Sequence, residues 1–388
     1  MPDEFEILQQ LRNIPELFEE IRGQSTTDLA IQSRLRRKYD AEIVRTALTL
    51  AQIREKAKAK FSKAEEMWFD GTGYEQATAE LVAQHKARRF SGTVWDLCCG
   101  IGSDSIALAD RCQVYAVDHQ AANCLRTQWN AETYSVRQNL QPICADVTEL
   151  NFQGSMLVHI DPDRRATGHG RAVRVEHYVP GVEFLQKLTQ TTWGGAIKLG
   201  PASNFAGHFS DVEYELISLH GECKEATVWF GSLADPGQWR ATALPSGESL
   251  AGNPLDAFAE QSPLGQYLYD PDPAIVRSGL VNLLCERNEL MRLDDTEEYL
   301  TSDRKVESPF VRGFEVLAEL PNNEKEIRKF FRGADVGSVE IKCRHIPINA
   351  DQLRKRLSLN GTKPRVLIFA RVGGKARAII GRRNESST

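Results

Sequence analysis

The sequence has no stretch of about 20 apolar residues, the length that a membrane-spanning helix needs. Its first segment, Met1 to Glu20, is acidic and polar, so we expect neither a membrane span nor a secretory leader. The sequence also lacks a CxxC pair. Its eight cysteines are scattered without a repeated spacing, which argues against a disulfide framework or a zinc site. Together these absences favour a cytoplasmic protein with reduced thiols and no bound metal.

Charge is unevenly distributed along the chain. The formal net charge of −5 alone argues against a nucleic-acid partner. From Lys325 to Thr388, however, sixteen Lys and Arg stand against five Asp and Glu, whereas residues 234–274 carry one base against six acids. This asymmetry predicts a basic face on the C-terminal part of the chain; the alternative is the ordinary solvated surface of a small domain.

Hydrophobic periodicity separates residues 1–90 from residues 91–233. In the first region apolar residues recur at helical spacing, which predicts a helical N-terminal region. In the second, short apolar runs alternate with helical stretches, which is typical of a parallel sheet covered by helices on both faces. Two further runs, Tyr214–His220 and Ala226–Phe230, are too close in sequence for a parallel crossover and therefore predict an antiparallel hairpin.

The remaining chain is predicted to hold a connection and a second domain. Residues 234–300 are interpreted as a linker rich in Pro, Gly, Ser and Asp, followed by a helix that begins at Asp272-Pro273 and runs through Leu284. Residues 301–388 alternate between strand and helix patterns and predict a compact, basic α+β domain.

A glycine turn and three acids lie where predicted parallel strands end. Asp96 ends the first strand, and Gly100 and Gly102 make the turn into the next helix. Asp118 ends the second strand and Asp146 follows the third. A glycine turn before a helix lets a carboxylate approach the backbone, one acid suits a ribose diol and another an adenine amino group. The combination predicts a site for S-adenosylmethionine.

Two alternatives compete with this interpretation. The turn could serve only to pack a strand against a helix, or the fold could bind a dinucleotide. A dinucleotide site calls for GxGxxG, but Ser105 occupies the third glycine position, and a nicotinamide enzyme has no use for Asp96 or Asp146. The sequence therefore favours S-adenosylmethionine. The predicted cofactor-binding residues are Thr78, Asp96, Cys98, Gly100, Gly102, Asp118, His119, Asp146, Val147 and Asp161.

The catalytic residues are predicted directly after the fourth strand, because methyl transfer requires the acceptor to be positioned in line with the methyl group. No cysteine follows Asp161 in this loop, which favours nitrogen over carbon as the acceptor atom. His159 and His169 flank the loop and are interpreted mainly as structural or surface residues. The arginines of the loop suit an anion such as phosphate, or alternatively pair with Asp163 as a structural network. The predicted catalytic residues are Asp161, Pro162, Asp163 and Arg164.

The segment Asp96–Asp146 resembles motifs I to III of class I methyltransferases. Residues 73–87 resemble the segment that leads into the cofactor strand of trimethylguanosine synthase-like enzymes. The order of the whole chain, including the Tyr-Asp-Pro-Asp-Pro run at 269–273, is similar to a bacterial family of methyltransferases with a C-terminal THUMP-like domain. The resemblance implies an α/β fold with a Rossmann-like sheet, parallel with an antiparallel hairpin at its end. In nucleic-acid amino-methyltransferases the catalytic run reads Asn/Asp-Pro-Pro-aromatic, and Asp163 and Arg164 depart from it.

These features lead to a predicted RNA methyltransferase whose basic C-terminal domain holds RNA by its phosphates. Two other functions stay open: a small-molecule methyltransferase with an anionic substrate, and a protein that binds S-adenosylmethionine or RNA without catalysis. The predicted substrate-binding residues are Arg165, Arg171, Lys342, Arg344, Arg354 and Lys355.

Overall fold

The computed structural model describes residues 3–24, 26, 29–164 and 174–384 of the chain. The chain forms two compact units. The first comprises Met1–Glu213 and Glu225–Pro236, and the second comprises Tyr214–Lys224 and Gly237–Thr388. A lipid bilayer could not be crossed by any helix among the described residues, since none combines the necessary length and apolar character.

The described part of the first unit begins with helices, as the periodicity predicts. Asp3 and Glu6 form a capping box at the first of them, and the side chain of Asp40 caps the fourth. Their buried faces share one core with Trp68 and with Trp129 of a later helix, so these helices cover the sheet domain of this unit. The helices before the first strand are α1 (Glu4–Arg12), α2 (Pro15–Ile21), α3 (Leu29–Leu35), α4 (Ala41–Ala57), α5 (Gly71–Gln76) and α6 (Glu80–Ala87).

A parallel sheet forms the centre of the first unit. The strands of this part of the chain are β1 (Thr93–Leu97), β2 (Gln113–Asp118), β3 (Leu140–Cys144), β4 (Gly154–Ile160), β5 (Thr192–Leu199), β6 (Val212–Leu219), which lies mostly in the second unit, and β7 (Glu222–Gly231). The order is β3-β2-β1-β4-β5, every neighbouring pair is parallel, and β7 then pairs antiparallel with β5. This confirms the predicted Rossmann-like sheet with an antiparallel part. The helices are α7 (Ser103–Ala109), α8 (Ala121–Thr133) and α9 (Val182–Thr191).

The second unit contains a small α+β domain, as predicted. Its further strands are β8 (Trp239–Leu244), β9 (Glu248–Gly252), β10 (Tyr267–Pro271), β11 (Met291–Arg292), β12 (Leu300–Ser302), β13 (Val311–Pro321), β14 (Val336–Cys343), β15 (Lys363–Val372) and β16 (Lys375–Arg383). Within residues 267–383 the sheet has the order β11-β12-β10-β13-β16-β15-β14, in which β14 and β15 are parallel and the other pairs antiparallel. Ile327, Phe331 and Leu353 of the helices pack on one face of this sheet. The helices are α10 (Pro273–Arg277), α11 (Val281–Asn288), α12 (Glu324–Gly333) and α13 (Ala350–Arg356).

Two predictions for residues 234–300 are wrong. The expected linker contains the antiparallel pair β8 and β9, because its Pro, Gly and Ser residues belong to the turns around those strands. The expected single helix is two, since Gly279 adopts a left-handed φ of +74° between α10 and α11. The predicted start is confirmed: the Asp272 side chain accepts a hydrogen bond from the Ala274 N–H.

Candidate functional site at the carboxyl ends of the parallel strands

The parallel register gathers the predicted acids around the loop after β1. Leu97 at the end of β1 is paired with Val117 of β2 and Ile160 of β4, so the residues that follow these strands meet at one edge. Burial raises the pKa of the Cys98 thiol, and the nearby charges of four acids raise it further. These acids, in order of effect, are Asp118, Asp161, Asp96 and Asp146.

The loop itself combines a tight approach with open space. Gly102 has φ +84°, and a Cβ there would lie 2.8 Å from Thr127 Cγ2. Gly100 has φ +56°, and a Cβ there would meet no atom within 4 Å. Thr127 Oγ1 donates to Gly100 O at 2.9 Å, which fixes the turn. The backbone at Gly100 is therefore held in place and accessible to a ligand.

Asp118 is joined directly to this loop. It is buried, and its Oδ2 accepts a hydrogen bond from the Gly100 N–H at 2.9 Å. Its Oδ1 accepts from Gln120 N at 2.9 Å and from Asn123 Nδ2 at 3.2 Å. The neighbouring His119 side chain is 71 % exposed. The carboxylate therefore has a fixed orientation beside the glycine turn.

Asp146 and Val147 form the next part of the edge. Asp146 is exposed, and its Oδ1 accepts from Thr148 Oγ1 at 2.7 Å and from Thr148 N at 2.8 Å. These hydrogen bonds hold the pKa of Asp146 below its usual value. Val147 is buried beside it. The pair offers a carboxylate together with an apolar side chain.

Asp96 is placed differently from the other predicted acids. It is 1 % exposed, and its Oδ1 binds His159 Nδ1 at 2.7 Å while its Oδ2 accepts from the Ser105 hydroxyl. Both carboxylate oxygens are thus engaged inside the protein. Ser105, which stands where a dinucleotide site needs glycine, ties the first turn of α7 to β1.

A buried lysine that the sequence did not single out lies behind Asp96. Lys86 Nζ contacts Asp104 Oδ1 at 2.9 Å, Glu225 Oε1 at 2.9 Å and His159 Nε2 at 3.3 Å. Three acceptors match the three N–H groups of an ammonium, so His159 accepts at Nε2 and donates from Nδ1 to Asp96. Thr78, a predicted cofactor residue, donates to Asp104 Oδ2 at 2.6 Å.

Charge balance keeps this buried cluster ionised. Burial alone lowers the pKa of Lys86, but the carboxylates of Asp104 and Glu225 outweigh it and raise that pKa above its usual value. Burial also acts to raise the pKa of Asp104, but the ammonium of Lys86 outweighs it and holds that pKa below its usual value. The cluster links α6, α7, β4 and β7 beneath the loop.

The predicted catalytic run follows β4 and is tied to the segment before α6. Lys198 Nζ contacts Asp161 Oδ2 at 2.6 Å and donates to Gln76 O at 3.2 Å. Gln76 Nε2 donates to Asp163 Oδ1 at 2.9 Å. Pro162 is buried, and the backbone of Asp163 pairs with that of Val179. Lys198 was missed by sequence reasoning, because nothing in the strand pattern of β5 marks a functional lysine.

Arg164 is the one arginine of the predicted catalytic and substrate residues in this region that the described residues include. Arg164 lies over β5's end, since a Cβ on Gly200 would be 2.8 Å from Arg164 NH1. The predicted substrate residues Arg165 and Arg171, and also His169, lie outside the described residues.

The predicted substrate residues of the second unit fall into two groups. Lys342 and Arg344 bind the two oxygens of Asp270 at 2.8 and 2.6 Å. Arg354, on α13, pairs with Asp351 at 2.9 Å and is 44 % exposed, and Lys355 beside it is also exposed. The first group is therefore held by a buried acid, whereas the second is exposed to solvent.

Comparison with protein families places both halves of the chain. A family model described as RNA cap guanine-N2 methyltransferase matches residues 91–188, and one described as THUMP domain-like matches residues 311–383. A model for a domain of unknown function matches residues 15–57. The match to residues 91–188 covers the strand ends that form the candidate site, and the match to residues 311–383 covers most of the basic α+β domain.

Comparison with whole proteins gives the same result. The chain is 34 % identical over 314 residues to uncharacterized S-adenosylmethionine-dependent methyltransferases of two Mycobacterium tuberculosis strains, a match that covers 79 % of this chain and 85 % of each relative. The crystal structure of a putative methyltransferase from Porphyromonas gingivalis has the same fold, with a TM-score of 0.77, 17 % identity and coverage of 99 % and 100 %. The chain belongs to the S-adenosylmethionine-dependent methyltransferases.

Proposed function

We propose that the protein transfers a methyl group from S-adenosylmethionine to a base nitrogen of RNA. The observation that carries this proposal is the Asp161 carboxylate, fixed by Lys198 at the strand edge beside the glycine loop. The match of residues 91–188 to a model described as RNA cap guanine-N2 methyltransferase supports a nitrogen acceptor and an RNA substrate. The excess of Lys and Arg in residues 325–388 supports binding to a phosphate backbone.

The chain's residues fit the methyl donor. The open space at Gly100 admits the methionine part of S-adenosylmethionine against the backbone, and the Asp118 carboxylate suits the ribose diol. Asp146 and Val147 suit the adenine edge and face. Asp96 would support the loop from behind, since His159 and Ser105 hold both its oxygens. When bound, S-adenosylmethionine supplies a methyl group on a sulfonium, which is transferred by in-line displacement.

Asp161 would position the acceptor nitrogen. Lys198 holds Oδ2, so Oδ1 is the oxygen that we expect to accept an N–H of the target amine. This hydrogen bond would orient the nitrogen lone pair toward the methyl carbon, and the proton released on transfer would pass to Oδ1 or to water. The contacts from Lys198 to Gln76, and from Gln76 to Asp163, would hold Asp161 and Asp163 in position at the strand ends.

A small anionic substrate is the second candidate. The guanidinium of Arg164 over Gly200 favours it, because a planar guanidinium binds a carboxylate or phosphate with two hydrogen bonds. The two candidates differ in their dependence on salt, since only a polyanion releases many counterions on binding.

Transfer of labelled methyl from S-adenosylmethionine to total RNA tests the proposal. The native protein should label RNA at a nucleoside that mass analysis identifies as N-methylated. Asp161→Ala should reduce the rate by a factor of about 100 or more, a typical effect of losing a positioned acid–base group. Its affinity for S-adenosylmethionine should change little. Glu19→Ala, which removes an exposed acid, serves as the matched control.

Two results would contradict the proposal. Full labelling by Asp161→Ala would contradict the proposed role of Asp161 in positioning the acceptor nitrogen. The absence of RNA labelling by a native protein that binds S-adenosylmethionine would contradict RNA as the substrate. RNA binding that does not weaken between low and moderate salt would favour the small anionic substrate.

A further inference from the structure

The second unit contains a cavity of about 380 Å³ to which methyl transfer assigns no role. This volume lies within the range of small-molecule sites. Its walls come from the turn after β8, the segment that follows β10 and strands β13 and β14. Several of the lining residues are prolines, whose rings restrict the backbone and make these walls stiff. Prolines among the described lining residues are Pro245, Pro271, Pro273 and Pro309.

Two of the cations in the cavity wall are oriented by a buried acid. Asp270 is 9 % exposed and holds Lys342 and Arg344 on its two carboxylate oxygens. Arg344 also donates to the carbonyl oxygen of Pro271 at 3.2 Å and lies 3.6 Å from Glu298 Oε2, and Lys342 lies 3.8 Å from Glu340 Oε1. An ammonium and a guanidinium have more N–H groups than these contacts use, so both cations retain capacity for a ligand.

A third cation is placed by a glycine. The exposed Arg312 donates to the carbonyl oxygen of His220 at 3.2 Å. Gly221 has φ +76°, and a Cβ there would lie 2.1 Å from Arg312 NH2. Any other residue at 221 would therefore displace the guanidinium from the cavity rim.

The cavity presents acceptors as well as donors. The carboxylates of Asp270 and Asp272 line it together with the three cations. Asp272 is 7 % exposed and accepts from Ala274 N at 2.8 Å and from Ser218 Oγ at 2.9 Å. Such a mixture suits a bare anion poorly, because the acids offset the cations. It suits a ligand that carries a phosphate and also hydroxyl or amino donors.

We propose that this cavity binds one nucleotide unit, with Arg312 and Lys342 toward its phosphate and Asp270 toward its hydroxyl or amino donors. The proposal rests on the proposed function only for the source of the nucleotide, since an RNA chain and a free mononucleotide offer the same chemistry. In the RNA case, the site would hold the substrate at a second point, within the second unit.

Calorimetric titration of the full chain with uridine 5′-monophosphate tests the proposal, with S-adenosylhomocysteine present to occupy the methyl-donor site. The native protein should bind the nucleotide, and Arg312→Ala should weaken binding about tenfold, the effect of one lost charge-assisted hydrogen bond. Gly221→Ala should weaken it too, because the new Cβ displaces Arg312. Arg304→Ala, which removes an exposed cation of the second unit outside the cavity, should leave the affinity unchanged.

Several outcomes would overturn the proposal. They are the absence of saturable binding at millimolar nucleotide, equal binding by native protein and Arg312→Ala, and inorganic phosphate binding as tightly as the nucleotide. Arg312 is exposed, so its variant should keep the native melting temperature and can be compared directly.

A second arm distinguishes the source of the nucleotide. RNA whose affinity falls in Arg312→Ala, and which competes with uridine 5′-monophosphate, identifies RNA as the source. Competition by mononucleotides alone identifies a free nucleotide. Nucleotide binding that depends on Arg312 would stand even if no RNA were methylated, whereas RNA methylation with unaltered binding in Arg312→Ala would remove the cavity proposal alone.

Discussion

At the scale of single residues, two glycines of the loop after β1 have different surroundings. Gly100 faces open space, whereas Gly102 packs against Thr127. Gly92, before β1, shares a left-handed φ of +75° and open surroundings but lies at the opposite end of the strand. Alanine substitutions at the three positions can therefore distinguish the loss of stability caused by backbone strain from the loss of affinity caused by blocking a ligand.

Gly100→Ala should abolish most of the binding of S-adenosylmethionine, whereas its stability should fall only by the cost of backbone strain. An alanine in the left-handed region costs roughly 1–2 kcal/mol, and the added methyl group would occupy the space that we assign to the methyl donor. Gly92→Ala should cost the same stability and leave affinity unchanged. Isothermal titration and chemical unfolding measure the two effects. Equal affinities of the two variants would contradict the placement of the donor at Gly100.

Gly102→Ala should cost more stability than Gly100→Ala. Its Cβ would lie 2.8 Å from Thr127 Cγ2 and 3.1 Å from Thr127 Cα, so both strain and a collision with helix α8 add up. We expect a lower unfolding midpoint than for Gly100→Ala by the same chemical unfolding measurement. A midpoint at or above that of Gly100→Ala would show that the turn adapts.

At the scale of elements, sequence periodicity predicts the helices and strands but not which side chains contact one another. The alternation of strands and helices, the cap at Asp272, and the acids at the carboxyl ends of β1 to β4 follow from local patterns. The cluster around Lys86 does not, because its members come from elements far apart in the sequence and meet only through packing. The hairpin of β8 and β9 was missed for a related reason: turn residues on either side obscured two short strands.

Lys86→Met should destabilise the protein strongly, and more at pH 8 than at pH 5. Removal of one member of a buried ion pair costs about 3–5 kcal/mol, since Asp104 and Glu225 would remain buried without their cation. In the native protein the pKa of Asp104 lies below its usual value, so its contribution is present at neutral pH and lost on acidification. In the variant burial would raise the pKa of Asp104, so protonation relieves the defect as the pH falls.

Urea unfolding of both proteins at the two pH values measures this difference. Lys58→Met, which removes a half-exposed lysine paired with Glu55 and Glu65, serves as the control and should change stability by less than about 1 kcal/mol at either pH. A loss in Lys86→Met that is the same at both pH values would show that the stranded carboxylates do not control its stability.

At the scale of the whole molecule, charge is segregated along the chain. The net charge is −5, yet residues 325–388 carry sixteen Lys and Arg against five Asp and Glu. Asp270 holds two of these cations, Lys342 and Arg344, whereas Arg354 and Lys355 face solvent on α13. Only the second pair is available for a phosphate backbone without first breaking a half-buried ion pair.

RNA binding should therefore depend on salt through the exposed cations of α13. Each phosphate contact that is lost lowers the slope of log affinity against log salt by about one, so the double variant Arg354→Ala, Lys355→Ala should lower it by about two. Arg22→Ala, an exposed cation of the first unit, should leave the slope unchanged. Fluorescence anisotropy with a labelled RNA at several salt concentrations measures these slopes. An unchanged slope in the double variant would place the RNA contact elsewhere on the molecule. The excess of positive charge in residues 325–388 would then not account for substrate binding.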